Sequence, residues 1–132
     1  MAEMFSVQVI TPDRTFYEGE VSMVEFTGTE GEMGIYKNHI PLTVILAPGV
    51  LRLHEAGDIK KAALHAGFVE ILPEQVTILA EAVEWPEEID RKRAEEAKVR
   101  AERRLSSNSG GIDVARAEMA LKRSLTRLGL TK

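Results

Sequence analysis

A β-sandwich followed by an antiparallel helical hairpin is the fold this sequence predicts, and three observations carry the prediction. Up to Trp85-Pro86, short runs of alternating apolar and polar residues recur between glycine and proline turns. From Glu87 onward, alanine, leucine, arginine and glutamate recur at spacings of three and four. The break Ser106-Ser107-Asn108-Ser109-Gly110-Gly111 divides that second pattern into two helices. The chain therefore reads as two domains, 1–86 and 87–132.

Phe5 to Ile10 alternates and stops at Thr11-Pro12-Asp13, a strand and then a turn. Thr15-Phe16-Tyr17 and Val21 to Phe26 continue the alternation on either side of Gly19. Gly28, Gly31 and Gly34 then cluster where tight turns call for positive φ. Pro41 to Leu46 reads as a strand closed by Pro48-Gly49. Val50 to His54 pairs across Ala56-Gly57-Asp58 with Lys60 to His65, and Phe68 to Leu72 pairs across Pro73-Glu74 with Val76 to Ala80. Many short strands at close intervals make a sandwich or barrel.

Pro86, with Glu87, Glu88 and Asp90 after it, supplies a helix entry with acids near the positive end of the helix dipole. Ala94, Ala97, Ala101 and Leu105 form a narrow seam on the first helix. The second carries a broader stripe of Val114, Ala117, Leu121, Leu125 and Leu128, a smaller face of Ile112, Ala115 and Met119, and Gly129 as its C-terminal stop. Two apolar faces predict a helix sandwiched between its neighbour and the strands.

Composition narrows the function classes. With 44% hydrophobic residues the chain has enough to build a core, and without cysteine it has neither disulfides nor thiolate chemistry. The start lacks the basic region and apolar run of a secretory signal, and the Ile40–Leu46 run is too short to span a bilayer. Residues 1–86 hold 5 basic and 13 acidic side chains, while 87–132 hold 12 and 8, so the segments carry opposite net charge. His39, His54 and His65 are scattered over separate segments, and no P-loop, zinc spacing or nucleophile elbow occurs, which argues against an enzyme or a metal site. Nucleic acid is disfavoured too: glutamates interleave with the helical arginines, and no aromatic residue follows Trp85.

The arginines are the informative group. Arg93, Arg100 and Arg104 repeat at spacings of seven and four, and so do Arg116, Arg123 and Arg127. Residues seven apart on a helix point within about 20° of each other, so each helix carries an arginine row. If the alanine-rich faces meet, the rows converge on one edge and suit a polyphosphate. Each helix also opens on the phrase I-D-x-x-R-A, at Ile89 and at Ile112. An ordinary i,i+3 ion pair explains such a phrase equally well.

In combination these features resemble the epsilon subunit of bacterial F-type ATP synthases. The likeness runs from Val7-Gln8-Val9-Ile10-Thr11-Pro12-Asp13 through Gly31-Glu32-Met33-Gly34-Ile35 and His39-Ile40-Pro41-Leu42. It continues in Ala66-Gly67-Phe68-Val69-Glu70-Ile71 and ends in Arg116-Ala117-Glu118-Met119-Ala120-Leu121-Lys122-Arg123, departing at Tyr36-Lys37. The resemblance implies a non-catalytic rotor subunit bound to gamma and resting on the c-ring, peripheral to the cell membrane on its cytoplasmic side through the complex. It implies that the hairpin either folds on the sandwich or extends into the alpha/beta catalytic head and blocks ATP hydrolysis. As in Bacillus-like members, ATP, with or without magnesium, would be a regulatory ligand of the folded hairpin. Ile89, Asp90, Arg93 and Ala94 match the motif; Glu84, Arg100, Arg123 and Arg127 match supporting positions, and His39 is the candidate contact with gamma. The alternative function is a free-standing nucleotide-sensing module outside any rotary motor.

Overall fold

The computed structural model describes residues 3–107 and 114–131. They form β1 (Phe5–Ile10), β2 (Thr15–Val21), β3 (Met23–Gly28), β4 (Gly31–Ile35), β5 (Leu42–Leu46), β6 (Gly49–Glu55), β7 (Asp58–Ile71) and β8 (Gln75–Glu84). A 3-10 turn (Pro86–Glu88) then leads into α1 (Arg91–Ser107) and α2 (Val114–Leu130). The strands run in the order β2-β1-β8-β7-β5-β3-β4, and β6 pairs with both β3 and β7, so the sheet folds over into the two layers of a sandwich. The β1–β8 pair is parallel and the other pairs are antiparallel. Val7, Val9, Val24, Phe26, Leu51, Leu53, Ile71 and Ile78 are fully enclosed between the layers.

The longest strand departs from the expected pair of strands. Lys60–His65 and Phe68–Leu72 are not separate; they are the two halves of β7. The alternation changes phase between them. Ala62 and Leu64 point into the core, whereas beyond the kink Val69 and Ile71 do. At the kink Ala66 has φ 26° and Gly67 has φ 140°, a region favouring glycine, and a Cβ on Gly67 would strike the carbonyl oxygen of Leu79. β8 follows with the same change, from Val76, Ile78 and Ala80 to Val83 inside. The flip is what sends Ala63 and His65 of β7, with their ladder partners Glu84 and Ala82 of β8, to the outer face under the hairpin.

Other local expectations are also corrected. Gly19 lies within β2 rather than between two strands. Of the glycine cluster, Gly31 has a positive φ of 127°, while Gly28 and Gly34 lie in ordinary strand backbone. Pro86 opens a 3-10 turn and not the helix, because Ile89 returns to extended backbone and Asp90 becomes the true cap. Gly129 sits inside α2. Val114 and Leu125, expected in the apolar stripe, are 54% and 48% exposed, and the buried positions of α2 are Ala117 and Ser124. Most of the expected break and the second I-D pair, Ile112-Asp113, lie outside the described residues.

Candidate functional site

The site begins with small side chains. Ala94 and Ala101 of α1 are buried against α2, where Ala117 and Ser124 are buried in turn. Alanine and serine at these positions let the helices approach closely, and the Ser124 hydroxyl is satisfied by donating to the Ala120 carbonyl at 3.0 Å. α2 also packs on β7 and β6, so it is held between α1 and the sandwich as its two-sided pattern predicts. Asp90 fixes the start of α1: its carboxylate accepts from the Arg93 N–H at 3.1 Å, and its carbonyl accepts from the Ala94 N–H at 3.0 Å. The Arg91 guanidinium donates to the Thr131 carbonyl, tying the start of α1 to the end of α2.

Between α1, α2 and the end of β8 lies a cleft of about 390 Å³. That is at the small end of the range for small-molecule sites, ~300–1,000 Å³. Five guanidinium groups line it, those of Arg93, Arg100, Arg104, Arg123 and Arg127, facing the carboxylates of Glu84, Glu88 and Asp90. The carboxylates are largely spoken for. Glu84 accepts from Arg127 Nε at 2.6 Å, Asp90 caps α1, and Glu88 accepts from Arg14 at 2.9 Å and from the Trp85 N–H at 2.9 Å. The Trp85 N–H, with Arg14 beside it, holds Glu88 below the ordinary carboxylate range. Arg93, Arg100, Arg104 and Arg123 have no ion-pair partner among the described residues. Four cationic forks without carboxylates, on two helices and facing one cleft, make a site for a multiply charged anion.

Of the residues singled out in the sequence, Glu84, Asp90, Arg93, Ala94, Arg100, Arg123 and Arg127 line this cleft. Ile89 does not: it is half-buried at the end of the 3-10 turn, its N–H bonded to Pro86 O at 3.2 Å. Arg116 is likewise outside the lining, whereas Arg104, Glu88 and Ser124 belong to it. Arg104 was legible in the arginine spacing; Ser124 carried no signal in the sequence. His39 is far along the chain from the cleft, in the turn before β5, its ring Nδ1 donating to the Ile40 carbonyl at 2.7 Å. Tyr36, Ile40 and Leu42 beside it are exposed, at 61%, 78% and 44%.

A second surface lies beyond the kink of β7. Ile10, Leu79, Phe68 and Ile45 are consecutive ladder partners across β1, β8, β7 and β5, and none belongs to the core cluster. Phe68 and Ile45 are 40% and 58% exposed. An apolar row across four strands is the kind of surface that a partner covers.

The comparisons with known proteins agree with this architecture. Residues 4–86 match the family model described as ATP synthase delta/epsilon chain, beta-sandwich domain. Residues 87–132 match the one described as ATP synthase delta/epsilon chain, long alpha-helix domain. The fold and both segments thus define a stalk chain of the ATP synthase delta/epsilon class. Among relatives, the ATP synthase epsilon chain of Halalkalibacterium halodurans is 49% identical over 92% of this chain and 92% of its own. Those of Caldanaerobacter subterraneus and Bacillus velezensis are 46% and 44% identical over 97% and 92% of this chain and 94% and 92% of their own. The chain belongs to the ATP synthase epsilon family, and as an epsilon chain it is a non-catalytic subunit of that enzyme. A chain of the Euglena gracilis mitochondrial ATP synthase, solved as OSCP/F1/c-ring, shares the fold with a TM-score of 0.81 at 22% identity, covering 93% of this chain and 78% of that one. No helix among the described residues is long and apolar enough to cross a membrane.

Proposed function

We propose that this epsilon chain is a central-stalk rotor subunit whose sandwich joins gamma to the c-ring and whose hairpin, when extended into the alpha/beta head, inhibits ATP hydrolysis. ATP bound in the arginine cleft holds the hairpin folded and the enzyme permissive. The observation that carries this reading is the cleft itself, where α1 and α2 bring four guanidinium groups without an ion-pair partner among the described residues together with Arg127. Without an anion, folding crowds like charges over a seam of alanines, each methyl contributing only about 0.8 kcal/mol. Phosphate oxygens turn that repulsion into charge-assisted hydrogen bonds. A ligand at one hundred times its Kd favours the bound form by about 2.7 kcal/mol, which moves a balanced equilibrium almost wholly to one side. Among the described residues no three His, Cys, Asp or Glu side chains gather to hold a metal. Magnesium accompanying ATP would take its oxygen ligands from the phosphates and water.

The platform role is supported by the apolar row on β1, β8, β7 and β5, and by the assemblies of the structural neighbours, described as F1/c-ring and as central stalk/c-ring. In that role the chain is peripheral to the cell membrane, on its cytoplasmic side, through the complex. Membership in the family argues against a free-standing nucleotide sensor. Isothermal titration of the full chain tests the cleft: Arg93→Ala and Arg123→Ala each weaken ATP binding about ten- to hundredfold, the value of one charge-assisted bond. Arg116→Ala, outside the lining, has a smaller effect. No heat of binding at millimolar ATP, or equal losses in all three variants, would leave the arginine rows as ordinary helix charges.

A further inference from the structure

We propose that docking of the hairpin is proton-linked through His65, a positioning residue that competes with Arg127 for the carboxylate of Glu84. The inference rests on the reading above that the hairpin leaves the sandwich. It begins from one oxygen with two suitors. Glu84 Oε1 lies 2.6 Å from Arg127 Nε and 3.4 Å from His65 Nε2. Arg127 comes from α2, which leaves when the hairpin extends. His65 and Glu84 stay together, on the adjacent strands β7 and β8 of the sandwich.

His65 is only 2% exposed, and among the described residues neither ring nitrogen has a hydrogen-bond partner. The contact with Glu84 is close enough for an ion pair but lacks the alignment of a hydrogen bond. A neutral imidazole presents one donor and one acceptor, and both are left unmet beneath α2. Nor does the core account for its burial: the phase change in β7 points His65 away from the interlayer cluster and toward the hairpin. Its position is costly while the hairpin is docked and relieved when the hairpin departs.

The groups facing the ring are Glu84 from β8 and Arg127 and Arg123 from α2. β5 and the Gly49–Leu51 part of β6, on the other edge of β7, bring no titratable side chain, and Glu88 of the 3-10 turn is engaged by Arg14. Burial first, and then Arg127, push the His65 pKa down to about 4, and the attraction of Glu84 does not outweigh them. Once α2 leaves, the ring meets water, Arg127 is gone, and Glu84 is free to pair with an imidazolium. The released ring then titrates near the ordinary histidine value of about 6.5.

The direction follows from proton counting. The docked state binds fewer protons, so the contribution of His65 to docking is fully present above about pH 6.5 and is lost as pH falls toward 4. Between pH 7.5 and 5.5 the docked-to-undocked ratio falls about tenfold from this residue alone. Acidification thus favours the extended hairpin and works against ATP in the same equilibrium.

The chain has no cysteine, so Asp58→Cys at the exposed start of β7 and Glu118→Cys on the exposed side of α2 can carry a donor–acceptor pair. Energy transfer in the full chain, without nucleotide and in the urea concentration that levels the two populations at pH 7.5, should show the tenfold fall by pH 5.5. His65→Gln keeps a polar side chain without the titration and should remove the slope, while His39 and His54 are present in both proteins. A wild-type ratio that moves less than about twofold, or an equal slope in the variant, overturns the proposal. Should the variant not fold, NMR titration of the wild-type imidazole decides: a docked ring titrating near the ordinary value also overturns it. Millimolar ATP in parallel separates the two readings. A ratio that responds to pH but not to ATP removes the nucleotide site and leaves the proton linkage, and the reverse result does the opposite.

Discussion

Gly67 is the residue on which the two outer surfaces of the sandwich depend. Its φ of 140° and its closeness to the Leu79 carbonyl leave no room for a side chain. Gly67→Ala should therefore lower unfolding stability by about 1–3 kcal/mol or more, read as a fall in the urea midpoint at constant slope. Gly31 is the useful contrast: its φ is 127°, but nothing lies within reach of an added Cβ. Gly31→Ala bears the backbone strain alone and should cost less. The same kink explains which site residues could be read in the sequence. Asp90 and Arg93 were legible because a cap and a seven-residue spacing stay local to one helix. His65 was not, since assigning a strand residue to a face assumes that the alternation keeps its phase, and β7 changes phase one residue later.

At the scale of elements, the hairpin is held by contact surfaces that are small by design of the sequence. The buried positions are Ala94 and Ala101 on α1 and Ala117 and Ser124 on α2. Ala101, 1% exposed, is the tighter of the α1 pair and also lines the cleft, so the three further carbons of Ala101→Leu either press on α2 or fill the space between the arginines. Overpacking of that kind costs about 1–3 kcal/mol, so the variant should populate the separated helices and lose energy transfer between labels on α2 and the sandwich. Its sandwich should unfold at the wild-type urea concentration. Helix existence was plain from the periodicity, and so was the alanine seam. The boundaries were less so. Pro86 suits a first helical turn, but the Glu88 N–H donates to the Trp85 carbonyl at 3.0 Å and closes a 3-10 turn, which moves the α-helical start to Arg91. Val114 and Leu125 read as part of the inward stripe and lie outward instead, because the inward face of α2 is centred on small residues that fit against α1.

For the molecule as a whole, the acidic sandwich and the basic hairpin meet at few points, of which Arg127–Glu84 is the closest ion pair. The sandwich has its own enclosed core, and its apolar row stands apart from that meeting point. Phe68→Glu should thus leave the fold and ATP binding unchanged while weakening association with gamma, measured by co-purification of the assembled stalk. Retained assembly would assign the contact to another face. The sheet order was beyond the sequence, because pairings such as β1 with β8 join segments some seventy residues apart and local patterns carry no record of them. β7 joins the two outer surfaces as one unbroken strand, with a different parity on each side of Gly67. That gives the chain two independent reading frames along a single ladder. A one-residue register shift confined to the half before Gly67 and taken up at the kink turns Ala63 and His65 inward and spoils the bed of the hairpin, yet Ile45 still meets Phe68. One residue inserted after Gly67 does the reverse, scrambling the exposed apolar row while the hairpin keeps its seat.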